Sequence, residues 1–174
     1  MPLNFRIFIT AISAALVVGG CNKSPTGGGD LSPLESFKLI AEKCQDSIAY
    51  SDSIFPGKAG GFVRTEITPG AKSFDVKKTD SLVSPYVAYI DLHFVKNAIA
   101  TPTEEAARSW TGTAVVVMEH WRVVYALQDG KWKTQEELYS FAFPAANIPE
   151  GVPNKMKVGA LSESLPSATV CTAT

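Results

Sequence analysis

Apolar residues follow three successive rhythms along the chain, and each predicts a different kind of element. From Ile7 through Val18 the sequence is almost continuously apolar, and no acidic residue precedes Asp30. From Leu34 the spacing becomes three and four. Leu34, Phe37, Ala41, Cys44 and Ile48 then share one side of a 3.6-residue period, which predicts an amphipathic helix. Its start is marked by Ser32-Pro33-Leu34-Glu35: an N-cap serine, a proline at the first helical position and a glutamate placed to complete a capping box. The helix should end near Tyr50, ahead of Ser51-Asp52 and the Pro56-Gly57 turn signal. Beyond Gly61 the period drops to two.

Residues 62–68 predict a short strand closed by Pro69-Gly70, and residues 73–77 a weaker one. After Pro85 a longer strand places Tyr86, Ala88, Ile90, Leu92 and Phe94 on the expected core face, with Val87, Tyr89, Asp91, His93 and Val95 on the other. Residues 101–110 form a polar connection with one helical turn at 104–107. Within 113–143 two strand-like runs meet at Asp129-Gly130, residues suited to a type I′ turn because both central positions require positive φ. In that register Gln128 opposes Lys131, so Trp121, Val123, Tyr125 and Leu127 share the core face with Leu138, Glu136, Thr134 and Trp132. His120, Arg122, Val124 and Ala126 share the outer face with Tyr139, Glu137, Gln135 and Lys133, and Arg122 with Glu137 is expected as a cross-strand ion pair. The tail from Pro144, with Pro149, Pro153 and Pro166, has little periodicity and reads as irregular covering.

These elements predict an α+β fold: one N-terminal helix packed on a curved antiparallel sheet of about four to six strands, followed by an irregular tail. The segment Tyr125-Ala126-Leu127-Gln128-Asp129-Gly130-Lys131-Trp132-Lys133 resembles the closing hairpin of nuclear transport factor 2-like proteins, whose cone-shaped fold is shared with polyketide cyclase-like enzymes. The resemblance covers this hairpin alone. That family opens with more than one helix, whereas one is legible here, and a cystatin-like helix wrapped by a sheet is similar in outline.

The opening segment has a basic residue, Arg6, then the apolar run and small residues at its exit, the pattern of a secretory signal. The run is too short to cross a bilayer comfortably. Its end, Leu16-Val17-Val18-Gly19-Gly20-Cys21, resembles the lipobox of bacterial lipoproteins. That resemblance implies a diacylglyceryl thioether on Cys21 and cleavage that makes this cysteine the first residue. Two or more acyl chains, at about 0.8 kcal/mol per buried methylene, anchor stably where one would exchange. A non-acidic residue after the cysteine, here Asn22, implies by resemblance to enteric lipoproteins an outer-membrane address facing the periplasm in a Gram-negative cell. Asn22-Lys23-Ser24-Pro25-Thr26-Gly27-Gly28-Gly29-Asp30 reads as a flexible leash. The expected organisation is a signal over 1–20, a lipidated linker over 21–30 and one domain over 31–174.

Composition narrows the partners. The chain has 16 Lys and Arg against 17 Asp and Glu, which gives no basic field for nucleic acid and no polybasic patch for an anionic membrane. Pairs such as Lys77-Lys78 read as solvated surface, so the lipid alone is expected to touch the membrane. With Cys21 carrying lipid, Cys44 and Cys171 remain, and an oxidising compartment with an even remainder favours a disulfide between them over two buried thiols. No metal or cofactor is expected, because these cysteines and the two histidines lack ligand spacing.

Familiar catalytic motifs do not occur: there is no Gly-x-Ser-x-Gly, and the glycine runs at 27–29 and 60–61 lack the lysine of a phosphate loop. The candidates are Glu119 and His120 on one strand, with His93 near Asp91 on another. In enzymes of the cone fold, the resemblance implies acid and base groups projecting from strands into the mouth of the cone. Glu119 is expected on the apolar face, where desolvation would raise its pKa and suit it to accept a proton, or else near an open end in contact with water. His120 and His93 suit a general base or a pH sensor, and equally a half-exposed pairing role. The expected function is a membrane-anchored, non-catalytic binding or assembly module with a possible envelope protein partner. A small cone-fold hydrolase or isomerase using a carboxylate or histidine is the alternative.

Overall fold

The computed structural model describes residues 31–172; the signal, Cys21 and the linker expected over 1–30 lie outside the described residues. Helix α1 (Pro33–Ser47) begins with the expected capping box. Ser32 Oγ accepts from the Glu35 amide at 3.2 Å, and the Glu35 carboxylate accepts from the Ser32 amide at 3.0 Å. Phe37, Ala41, Cys44 and Ile48 are buried as their spacing requires. Leu34 is not: it is 57% exposed, because contact with the sheet begins one turn later, where Phe37 packs against Phe74, Tyr125 and Trp132. The helix stops at Ser47, short of Tyr50, where the Lys72 ammonium donates to the carbonyls of Gln45 and Ile48 and satisfies two of its terminal acceptors.

Six strands form one open antiparallel sheet in chain order: β1 (Ser51–Pro56), β2 (Phe62–Lys78), β3 (Tyr86–Thr101), β4 (Val115–Gln128), β5 (Lys131–Ala142) and β6 (Asn154–Met156). With α1 on one face this is an α+β fold. The expected helical turn between β3 and β4 is α2 (Glu104–Arg108). The two short strands expected on either side of Pro69-Gly70 are one strand interrupted by a bulge. Pro69 opposes Phe94 and Lys72 opposes Leu92, so Gly70 and Ala71 together face His93. At Gly70 a Cβ would stand 3.1 Å from the His93 carbonyl oxygen, so a side chain there would require His93 to give by a few tenths of an ångström.

The β4–β5 turn forms as expected, with φ of 52° at Asp129 and 74° at Gly130. The register holds from Gln128 opposite Lys131 to Tyr125 opposite Thr134. A bulge at Gln135 then sets Val124 opposite Glu136. A slip of one residue exchanges the faces. Glu137 therefore points inward opposite Val123, Tyr139 inward opposite Trp121, and Leu138 outward opposite Arg122. The expected Arg122–Glu137 pair does not form.

The core lies between α1 and the sheet. Ala88, Ile90, Leu92 and Phe94 of β3 meet Trp121, Val123 and Tyr125 of β4 and Trp132 of β5. Each large apolar side chain fully buried there contributes about 1.5–3 kcal/mol. The tail is more regular than its composition suggests: β6 pairs with β5, and α3 (Ala160–Ser164) and a 3₁₀ segment (Pro166–Cys171) bury Leu161, Leu165 and Ala168 against the core. Cys44 and Cys171 stand at disulfide distance, with Cα atoms 4.7 Å apart. The Tyr125 hydroxyl donates to the Cys171 carbonyl. Glu137, fully buried, accepts from the Gly159 and Leu161 amides at 2.7 Å each and so holds the start of α3. No helix among the described residues is long and apolar enough to cross a membrane.

Candidate functional site

Strand alternation separates Glu119 from the two histidine candidates. Glu119 and His120 are consecutive on β4 and must point to opposite faces. Glu119 takes the helix side with Trp121 and is 9% exposed. Its carboxylate lies 3.6 Å from Lys96 Nζ on β3 and faces Tyr139 on β5. Burial first, then the charge of Glu119 and a hydrogen bond to it, push the Tyr139 hydroxyl up to about 12. Lys96 also belongs to the floor of a cleft of about 350 Å³, bounded by Ser51, Ser53 and Phe55 of β1 and by residues 164–167 of the tail. This is the part of the helix-side face beyond the reach of α1. Glu119 thus sits close to a cleft, and its nearest polar partners are a cation and a phenol.

His93 and His120 are brought together on the outer face. They oppose each other in the β3–β4 register, and their rings stack at 4.2 Å between centroids and 12° between planes. The centre of this cluster is Asp91, nearly buried. It accepts two hydrogen bonds from Arg122, at 2.7 Å from Nε and 3.0 Å from Nη2. His120 Nε2 stands 3.0 Å from Asp91 Oδ1, and His120 Nδ1 stands 2.9 Å from Glu150 Oε1. Ser140 donates to the same Glu150 oxygen. Arg122 lies over the Tyr89 ring at 4.4 Å, and the Tyr89 hydroxyl donates to Asp75 at 3.0 Å.

The electrostatics follow from these contacts. Burial alone would raise the Asp91 pKa, but the hydrogen bonds from Arg122 and His120, with their charges, outweigh it and hold the carboxyl below its ordinary range. Glu150 is lowered by the Ser140 hydroxyl and then by His120. Both ring contacts of His120 are hydrogen bonds at once only when both nitrogens carry protons, since a neutral imidazole has one donor.

Serine, histidine and aspartate occur together here, yet not as a nucleophile and its base. Ser140 is 1% exposed and donates to Glu150 rather than to His120, and both His120 nitrogens face carboxylates, leaving no free lone pair aimed at a substrate. A small cleft of about 200 Å³ between Arg122, Leu138 and Pro153 opens onto the cluster. Farther along the outer face, a cleft of about 350 Å³ lies between the Trp110 loop and Arg64, whose guanidinium is occupied by Asp52 and Glu66 at 2.9 and 2.7 Å.

Sequence alternation had placed Asp91 and His93 on one side, and the structure agrees. Ser140 and Glu150 were missed. Ser140 reaches the outer face only through the slip at Gln135, and Glu150 lies in a proline-rich stretch with no period to orient it. No family model matches the chain, and no curated protein or solved structure is significantly similar to it.

Proposed function

We propose that this chain is an exported bacterial lipoprotein, anchored in the cell envelope by acyl chains on Cys21, and that its α+β domain is a non-catalytic binding or assembly module. The observation that carries the reading is Leu16-Val17-Val18-Gly19-Gly20-Cys21 at the end of an apolar leader. The leash over 22–30 would let the domain act close to a membrane. The non-catalytic part is supported by the separation of Glu119 from His93 and His120 on opposite faces of the sheet, and by the occupation of both His120 nitrogens. Fractionation tests the anchor. Cys21→Ser should send the protein to the soluble fraction or leave the leader attached, and identical partitioning with an identical N-terminus would overturn it. Crosslinking and affinity capture from the native envelope should return a partner or ligand.

A small hydrolase or isomerase is the competing reading. The one feature in its favour is Glu119 beside Lys96 and Tyr139 at the edge of the helix-side cleft. Turnover lost in Glu119→Gln with stability intact, and no captured partner, would favour it over the module.

A further inference from the structure

The end of the sheet where α1 begins carries an unusual surface. Between β2 and β3 stand Leu82, 100% exposed, and Val83, 74% exposed. Their loop is fastened by hydrogen bonds. The Thr79 amide donates to the Pro85 carbonyl at 2.9 Å, the Ser84 amide to Ser81 Oγ at 3.1 Å, and Gln128 Nε2 at the end of β4 to Ser84 Oγ at 3.1 Å. Two aliphatic side chains are therefore held out into solvent by a loop of defined shape, and the domain's own packing makes no use of them.

The leash joins the domain at this same end. Gln128 pairs with Lys131, and the next residue, Trp132, donates its indole N–H to Ser36 Oγ at 3.0 Å in the first turns of α1. From there α1 runs toward Lys72, so its first turn, with Leu31 and Leu34 both more than half exposed, lies on the side of the Asp129-Gly130 turn, the sheet end that also bears Leu82. The ten peptide units from Cys21 to Leu31 can span at most about 36 Å. The 17-residue β2 is about 55 Å long at the usual strand rise. A lipid on Cys21 thus keeps this end near the bilayer and leaves the β1–β2 end free to stand far from it. Charges around the tip are close to balance, with Lys77, Lys78, Lys131 and Lys133 against Glu35, Asp80 and Asp129.

We propose that this end of the domain is a membrane-facing surface, with Leu82 and Val83 entering the interfacial layer of the bilayer that holds the Cys21 lipid. The inference rests on the lipid-anchor reading and adds to it a second contact where sequence alone offers only the lipid. The contact is apolar and does not require anionic lipid.

The test uses the full lipidated chain in phosphatidylcholine vesicles, with an environment-sensitive fluorophore on Leu82→Cys or, at the opposite end, on Ala59→Cys. The expected result is a blue shift and quenching by headgroup-proximal nitroxide lipid at position 82, no change at position 59, and no dependence on added phosphatidylglycerol or salt. A lipidated, vesicle-bound protein whose label at 82 still reports water overturns the proposal, as does an equal shift at both positions. Shielding of position 82 in native envelopes but not in vesicles would assign the surface to a protein partner and also overturns it. Intact mass separates these outcomes from failure of the anchor: a chain with no acyl mass on Cys21 that does not float with vesicles removes both readings.

Discussion

Replacing Glu137 with glutamine removes charge from a fully buried acceptor while leaving its volume almost unchanged. The two carboxylate oxygens accept separately, Oε1 from the Gly159 amide and Oε2 from the Leu161 amide. Glutamine has one acceptor oxygen, and its amide nitrogen would meet the second N–H donor to donor. A hydrogen bond to a charged group is worth about 1.5–3 kcal/mol, and a buried donor left unpaired costs about 1–3 kcal/mol. These overlap, so the expected loss is about 2–4 kcal/mol, a large share of the roughly 5–15 kcal/mol that holds a domain folded. Urea unfolding of the oxidised protein measures the loss. Amide exchange over 159–171 localises it, and should quicken there before it does so in β3 and β4. A midpoint shift equivalent to less than about 0.5 kcal/mol, with exchange in the tail unchanged, would refute the claim that this carboxylate anchors the start of α3.

Three further outcomes are expected. A non-reduced digest should yield linked peptides containing Cys44 and Cys171, and Cys171→Ser should lower stability by up to about 5 kcal/mol on the loop-entropy account for a separation of 127 residues; two freely alkylated thiols in the native protein would exclude the bond. Because the Asp91 pKa is depressed in the folded state, its contribution to stability is fully present above the unfolded carboxylate value of about 3.9 and is lost as pH falls through the folded value. Asp91→Asn should therefore flatten the acid side of the stability curve, measured by urea midpoints from about pH 6 to about pH 3, and a mutant curve parallel to wild type would count against it. Ser32→Ala should cost about 1 kcal/mol by opening the capping box of α1, read as a lowered unfolding midpoint, and an unchanged midpoint would show that the cap is not needed once the helix is packed.

What could be read from residues alone follows the range of the forces involved. The start of α1 and the Asp129-Gly130 turn depend on neighbours within four positions, and both are legible. The core face of β3 is equally plain, because alternation is local. The bulge at Gln135 has no residue type to mark it, being set by how β5 meets β4 over many positions, and that one unmarked residue sent Glu136, Glu137, Leu138 and Tyr139 to the wrong faces. Pro69-Gly70 did signal an irregularity, but whether it ends a strand or bends one is decided by pairing with β3. The stacking of His93 on His120 needed the β3–β4 register across a long connection, and β1 was hidden because Ser51-Asp52-Ser53 reads as a turn. The opposition of Glu119 and His120 was legible throughout, since neighbours on a strand cannot share a face.

The sheet and the Cys44–Cys171 link between α1 and the C-terminal 3₁₀ segment belong to different moments in the life of the chain. Each strand pairs with the strand made just before it, so the meander can close strand by strand as the chain emerges, each waiting only for its successor even where the β3–β4 and β5–β6 connections are long. Cys44 has no such partner nearby. Its sulfur is made 127 residues ahead of Cys171, and at ordinary synthesis rates of 5–20 residues per second it stays unpaired for about 6–25 s. Of the cysteines in this sequence, Cys21 is the other one already made during that interval. A lipid on Cys21, as proposed above, would take that thiol out of reach of Cys44 and leave Cys171 as its match among the cysteines of this sequence.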